Sequence, residues 1–177
     1  MKYKICNITN SSWIYRKFWN FIWLITCSWT PVYMWTWRRF ILRLFGARIP
    51  VGSDVRSSVK IWDPANLEMG VGSILADDVW CYNVDKIYIG DHVIVSQGAV
   101  LCTASHDINS KSFQLITSPI RILNGAWIAA ESFIGPGVEV GSYAVLGARS
   151  VTFSNLVSST IYAGNPAKII NIRIINV

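Results

Sequence analysis

The stretch Ile128–Val151, IAAESFIGPGVEVGSYAVLGARSV, brings an aliphatic residue back at every sixth position: Ile128, Ile134, Val140 and Leu146. An α-helix repeats every 3.6 residues and a strand every 2. Six fits a chain that turns a corner after each short strand. The same phase reaches back to Ile122. Upstream, Ile89, Val95 and Leu101 keep the period in a second phase. Leu75, Cys81 and Ile87 keep it in a third, and Ile49, Val55, Ile61 and Leu67 in a fourth. Small residues recur four places after the aliphatic one, at Ala99, Ser105, Ala126, Ser132, Ala144 and Ser150.

These spacings predict a parallel β-helix built of hexapeptides. Each hexapeptide supplies a strand and a corner, and three of them close one coil. The aliphatic residue points inward and stacks on its counterpart one coil away. The small residue sits inward near the corner, where bulk does not fit. Internal repeats of this kind define solenoids, in which each unit buries its core only against its neighbours. An ordinary β-sandwich would have to reproduce five consecutive hits in one phase by accident.

Between Leu101 and Ile122 the period lapses. Residues 103–121, TASHDINSKSFQLITSPIR, read as a polar loop leaving the solenoid. Long loops inside compact domains are usually functional or disordered, and this one carries His106, one of only two histidines. The other, His92, falls in the corner GDHV and reads as a solvated turn residue.

The chain resembles the hexapeptide-repeat acyltransferases, and among them the colanic-acid and capsule-type sugar O-acetyltransferases. The resemblance covers about residues 49–173. It rests on CYNV at 81–84, IGDHVIVSQGAVLCTASHD at 89–107, GAWIAAESFIGPGVEVG at 125–141 and YAGNPAK at 162–168. The preface ending RRFILRLFGARI matches the same subgroup. The resemblance implies an all-β, left-handed parallel β-helix, a homotrimer, and acetyl transfer from acetyl-coenzyme A without a metal. It implies His106 as general base, with Asp107 beside it to anchor the loop or orient the imidazole. Asn83 and Trp127 match acceptor-side and thioester-side positions. Ala130 and Ala148 match the narrow pantetheine path, and Lys168 and Arg173 match a basic tail at the phosphate end. Phe153, Ser154, Val157 and Asn171 depart from the usual pattern, which bears on the phosphate contacts.

The chemistry needs few groups. A thioester is already activated, so a sugar hydroxyl can attack it directly once a base takes its proton. Neutral imidazole suits that task near pH 7. A serine hydrolase would show a nucleophile elbow, G-x-S-x-G, and none is present. A three-histidine zinc site cannot be built from His92 and His106 alone. Cys81 falls on an inward position, and Cys102 is expected to be a groove thiol.

Charge divides the chain. Residues 1–48 hold eight of the sixteen Lys and Arg, six of the nine Trp, and no Asp or Glu. The remainder, eight basic against ten acidic, is −2. A basic, aromatic segment could suit nucleic acid, but no recognition motif accompanies it. Residues 13–28 are predicted to be a helix with Ile14, Phe18, Phe21, Ile22 and Ile25 on one face. Residues 32–45 are predicted to form a second, with a Trp37, Phe40, Ile41, Leu44 stripe, an Arg39 and Arg43 edge, and Gly46 as its C-cap. These helices are expected to cap the open base of a solenoid domain spanning 49–177, and to touch a membrane interface. No apolar run reaches the about 18 residues of a spanning helix. Four cysteines without a CxxC pair or a secretory signal suggest reduced thiols in the cytoplasm.

The function expected from all this is O-acetylation of a sugar in a bacterial surface polysaccharide or its lipid-linked precursor, at the inner face of the membrane. Acetylation of an amino sugar, amino acid or antibiotic is the nearest rival. A non-catalytic β-helix scaffold is the rival from another class.

Overall fold

The structure, a computed structural model, describes residues 3–6 and 10–175, with side chains of the first helix from Trp13 onward. Its body is a β-solenoid of about five coils with three flat faces. The first face stacks Asp54–Val55, Ile74–Leu75, Ile94–Val95, Trp127–Ile128, Val145–Leu146 and Thr160–Ala163, all parallel. The second stacks Lys60–Ile61, Trp80–Tyr82, Val100–Cys102, Phe133–Ile134 and Val151–Thr152. The third stacks Leu67–Met69, Ile87–Ile89, Ile120–Ile122 and Glu139–Val140.

All four aliphatic phases point inward. From Ile49 through Leu146, every aliphatic residue named above is at most 5 % exposed, and most are fully buried. Ladder partners such as Leu101, Ile134 and Cys81 stand directly over one another. Ala99, Ala126, Ser132, Ala144 and Ser150 fill the corners as expected. Ser105 does not. It is exposed, because the chain has already left the coil when it reaches that residue. Corners are tight: a Cβ at Gly141 would stand 2.5 Å from the Ser158 backbone nitrogen and 2.8 Å from the Leu156 oxygen.

The base of the solenoid is covered by α1 (Asn10–Thr26) and α2 (Trp35–Leu44), joined through a single 3-10 turn at Val32–Met34. Gly46 ends α2 at φ +92°, with Gly46 N bonded to Arg43 O and Ala47 N to Leu42 O, the double bond of a Schellman cap. The buried faces are not the expected ones. Helix α1 turns Trp19 and Trp23 inward, with Cys27 buried just past its end, while Ile14, Phe18, Phe21 and Ile25 are about half exposed. Helix α2 buries Arg38, Arg39, Ile41 and Leu42 and exposes Trp37, Phe40 and Leu44.

The reason lies in the edge being covered. The first coil has no coil beneath it, so its downward carbonyls need donors. Arg38 Nε donates to Val55 O at 2.6 Å, Arg39 to Ser53 O at 2.8 Å and Arg43 to Ile49 O at 2.6 Å. Trp19 and Trp23 donate through their indoles to Ile61 O and Ser57 O at 2.8 and 3.2 Å. Arginine and tryptophan side chains donate and do not accept. An acceptor edge therefore accounts for much of this segment's Arg and Trp.

Candidate functional site

The interruption is an antiparallel hairpin rather than an irregular loop. Ala104–His106 pairs with Leu115–Thr117, and Lys4–Ile5 from the start of the chain adds a third strand. The solenoid resumes at Ile120, so Ile120 and Arg121 already belong to the third face. This arm leaves the corner between the second and third faces. Its root is held by Thr103, whose hydroxyl donates to Tyr82 O at 3.0 Å and accepts from Asp85 N at 2.9 Å. Thr117 adds a 3.3 Å bond to the Asp85 carboxylate.

His106 ends the first strand of the arm and is exposed. Its Nδ1 lies 2.5 Å from the carbonyl oxygen of Phe113. A carbonyl can only accept, so Nδ1 carries the hydrogen and the neutral ring keeps its lone pair on Nε2. Phe113 sits at φ +45°, in the left-handed region, and so turns its carbonyl back toward the ring. The orienting group is thus a backbone oxygen seven residues on. Asp107 does not perform that task. Its carboxylate accepts from Asn109 N at 3.0 Å and its carbonyl from Ser110 N at 3.2 Å, so it builds the turn that leads to Phe113.

Asn83 is also corrected. It is fully buried, its Oδ1 accepting from Trp62 N and Asp63 N at 3.0 and 3.2 Å and its Nδ2 donating to Asp63 O at 2.6 Å. The amide ties two coils together beneath the arm and presents nothing to an acceptor. Cys102 lies at the arm's root, its thiol donating to Ala104 O at 3.2 Å. Burial pushes that thiol up, which argues against a nucleophile. Cys81 is fully buried, as its inward position required, and burial carries it to about 12.

The expected cofactor positions gather elsewhere. Trp127 faces outward on the first face, 44 % exposed, its indole donating to Ser96 Oγ at 2.9 Å. Ala130 and Ala148 lie in stacked turns at the corner between the first and second faces, joined by Arg149 N to Ala130 O. Lys168 stands at the same corner, opposite Ala163. Arg173 does not. It lies at the far end of the returning strand and donates to the Gly125 and Tyr143 carbonyls at 3.0 and 3.1 Å. Arg149, beside Ala148 and paired with Glu131 at 2.6 Å, is a cation at this corner that the motif reading missed. Within one chain the second face separates this corner from the arm carrying His106. Among the described residues no group of three His, Cys, Asp or Glu could hold a metal ion.

A left-handed β-helix is the architecture of hexapeptide-repeat acetyltransferases. A maltose O-acetyltransferase from Clostridium difficile superimposes with a TM-score of 0.85 at 25 % identity, covering 97 % of this chain and 92 % of its own. The hexapeptide-repeat acetyltransferase VCA0836 of Vibrio cholerae, solved with acetyl-coenzyme A, gives 0.83 at 22 %, covering 93 % and 90 %. In sequence, WcaF of Escherichia coli, named as an acetyltransferase of colanic acid biosynthesis, is 42 % identical over 147 residues, 83 % of this chain and 81 % of its own. The galactoside O-acetyltransferase of Escherichia coli is 30 % identical over 87 residues, 48 % and 43 % of the two chains. No family model matches. The chain belongs to the hexapeptide-repeat acetyltransferase family, with WcaF among its relatives.

Proposed function

We propose that the protein transfers acetyl from acetyl-coenzyme A to a sugar hydroxyl of a bacterial surface polysaccharide or its lipid-linked precursor. The carrying observation is the His106 imidazole, whose Nδ1 is engaged by Phe113 O and whose Nε2 is left as the acceptor. The sugar oxygen attacks the thioester carbonyl while Nε2 takes its proton. The tetrahedral intermediate then expels the coenzyme A thiolate, which recovers that proton from the imidazolium. The products are an O-acetyl sugar and free coenzyme A. Ala130, Ala148 and Lys168 line the cofactor path, and Trp127 lies beside it on the adjoining face. Because that corner and the arm are separated within one chain, the working unit is a homotrimer that joins one subunit's corner to another's arm.

The experiment is acetyl transfer by wild type and His106→Ala at saturating acetyl-coenzyme A, with product detected by mass. The variant should still bind coenzyme A and lose roughly 10²–10⁴ in rate, the usual worth of a positioned general base. A variant keeping more than about a tenth of the rate would remove His106 from this role.

The cap is the part of the molecule that meets the membrane. Phe45 packs on Phe18 and Trp19 with ring centroids 6.0 and 4.9 Å apart, and the Trp37 indole donates to Thr26 O. The two helices touch at both ends of this pairing, and Ile14, Phe18, Phe21 and Ile25 of α1 and Trp37, Phe40 and Leu44 of α2 are exposed apolar side chains of the cap. With Arg38 and Arg39 spent on the solenoid edge, insertion of apolar side chains carries the contact and charge assists it. No helix among the described residues is long and apolar enough to cross a bilayer.

A further inference from the structure

The second face carries a cleft of about 570 Å³ between α1 and the outer surface of the first two coils. Two cations reach its wall, Arg16 from α1 and Lys60 from the first coil, and no carboxylate lines it. Two tryptophans of the face, Trp62 and Trp80, line it as well, Trp80 being 44 % exposed. Among the described residues neither of their indole N–H groups has an acceptor, unlike Trp19 and Trp23, whose indoles hold the base edge. Ser57 and Asn20 add polar side chains that form no side-chain hydrogen bond among the described residues. The Lys60 ammonium forms no ion pair among the described residues, whereas Arg16 lies 3.9 Å over the Trp62 ring and also faces Asp63.

A wall with donors, cations and flat aromatic faces, and without a carboxylate, selects an anionic ligand that has both hydroxyls and an apolar ring face. The cleft also leads toward the arm. Tyr82 stacks edge-on against Trp62 and Trp80 with centroids 4.7 and 5.6 Å away, and its ladder partner Cys102 opens the arm that carries His106 four residues later. On its other side α1 forms the outward apolar surface.

From this arrangement we infer that the cleft is an acceptor subsite for a saccharide bearing an anionic group, either a sugar phosphate or a uronate. One unit of the acceptor stacks on the exposed Trp80, its anionic group meets Lys60 beside the Arg16–Trp62 pair, and the chain runs past Tyr82 to the arm. This deepens the sugar acetyltransferase reading and rests on it for the identity of the acceptor, but the cleft can be tested without transfer.

The test is titration of tryptophan fluorescence with glucose 1-phosphate, glucuronic acid, glucose and inorganic phosphate, in the absence of acetyl-coenzyme A. Wild type, His106→Ala, Lys60→Gln and Trp80→Ala are compared, each first shown to melt as wild type does. Both substituted side chains are exposed, so the core is untouched. At least one acidic sugar should bind roughly tenfold more tightly than glucose, the worth of about one charge-assisted contact. Which of the two does so separates a phosphate from a carboxylate source. Lys60→Gln should erase that preference, Trp80→Ala should weaken both sugars, and His106→Ala should bind like wild type. Equal binding of glucose, equal binding of bare phosphate, or indifference to both substitutions would overturn the subsite. Binding as expected in a protein that transfers no acetyl group would leave the subsite standing and overturn the enzymatic reading instead.

Discussion

Replacing Arg38 with Met probes the cap where it is most heavily committed. The guanidinium is fully buried at the junction of α2 and the first coil. It donates to Val55 O at 2.6 Å, Pro31 O and Val32 O at 2.8 Å, and Thr30 Oγ1 at 2.9 Å, with Asp54 3.4 Å away. Methionine keeps much of the stem's volume, so packing changes little. What is lost is every donor to four acceptors and one of the two cations beside the Asp54 carboxylate, which is only 13 % exposed and keeps Arg56 at 3.3 Å. Removing one member of a buried charged network costs about 3–5 kcal/mol. For a chain of this length each kcal/mol moves the melting temperature by roughly 2–4 °C, so the expected fall is roughly 6–20 °C. Arg43→Met is the control. Arg43 is exposed and its one bond to the solenoid edge, to Ile49 O, is worth about 1 kcal/mol. Thermal unfolding followed by circular dichroism, at equal protein concentration because assembly itself shifts stability, separates the two. An Arg38→Met protein melting no lower than Arg43→Met would refute the assignment of the arginines to the edge.

Ile134→Asp places an unpaired carboxylate between Leu101 and Thr152 in the stack and should leave no cooperative melt; a soluble variant of wild-type stability would disprove the inward register. The Cys81 thiol is raised by burial from 9.0 to about 12, so the folded state holds its proton more tightly than the unfolded chain. Its contribution to stability is therefore complete below pH 9 and is lost as pH climbs toward 12, and Cys81→Val should unfold less readily than wild type in alkaline titrations. For the membrane surface, flotation with vesicles of phosphatidylethanolamine and phosphatidylglycerol should recover wild type. Each half-inserted phenyl ring contributes on the order of 1 kcal/mol, so the Phe21→Ser, Phe40→Ser double variant should lose roughly tenfold or more in partitioning. Equal recovery of the two proteins would remove this surface from membrane contact.

The solenoid was legible because its physics is periodic. One inward residue per hexapeptide is imposed by geometry, so Ile49 to Leu146 could be placed before any coordinate was known. Gly46 was legible for a similar reason, since a left-handed helix cap leaves few choices of residue. The helix faces were not. Both sides of α1 are apolar, and periodicity cannot say whether Trp19 or Phe18 goes inward when the decision rests on which indole reaches a carbonyl of the coil. The same limit hid the partner of His106. Phe113 acts through its backbone oxygen, and a backbone oxygen has no signature in residue type. Asn83 was misassigned, and for Asp107 the choice between anchoring the loop and orienting the imidazole stayed open, because an amide or carboxylate at a corner has the same letter whether it faces a ligand or a neighbouring peptide group. Lys4–Ile5 carried no periodic signal at all, since a two-residue strand is defined wholly by the edge it joins.

The order of the cap and coils along the chain has a consequence for synthesis. The helices that close the base precede every coil in the chain, so each new coil can add to an edge that is already finished below. The open rim then lies at the newest coil, and on the first face its edge is covered when Lys168–Ile172 folds back over Thr160–Ala163. A solenoid assembled in this direction never presents two sticky ends together, which limits end-to-end stacking of incomplete chains. The exception is Lys4–Ile5, which must wait for Ile116 and Thr117 to be made. The arm that bears His106 is therefore sealed late, by a strand that precedes the cap.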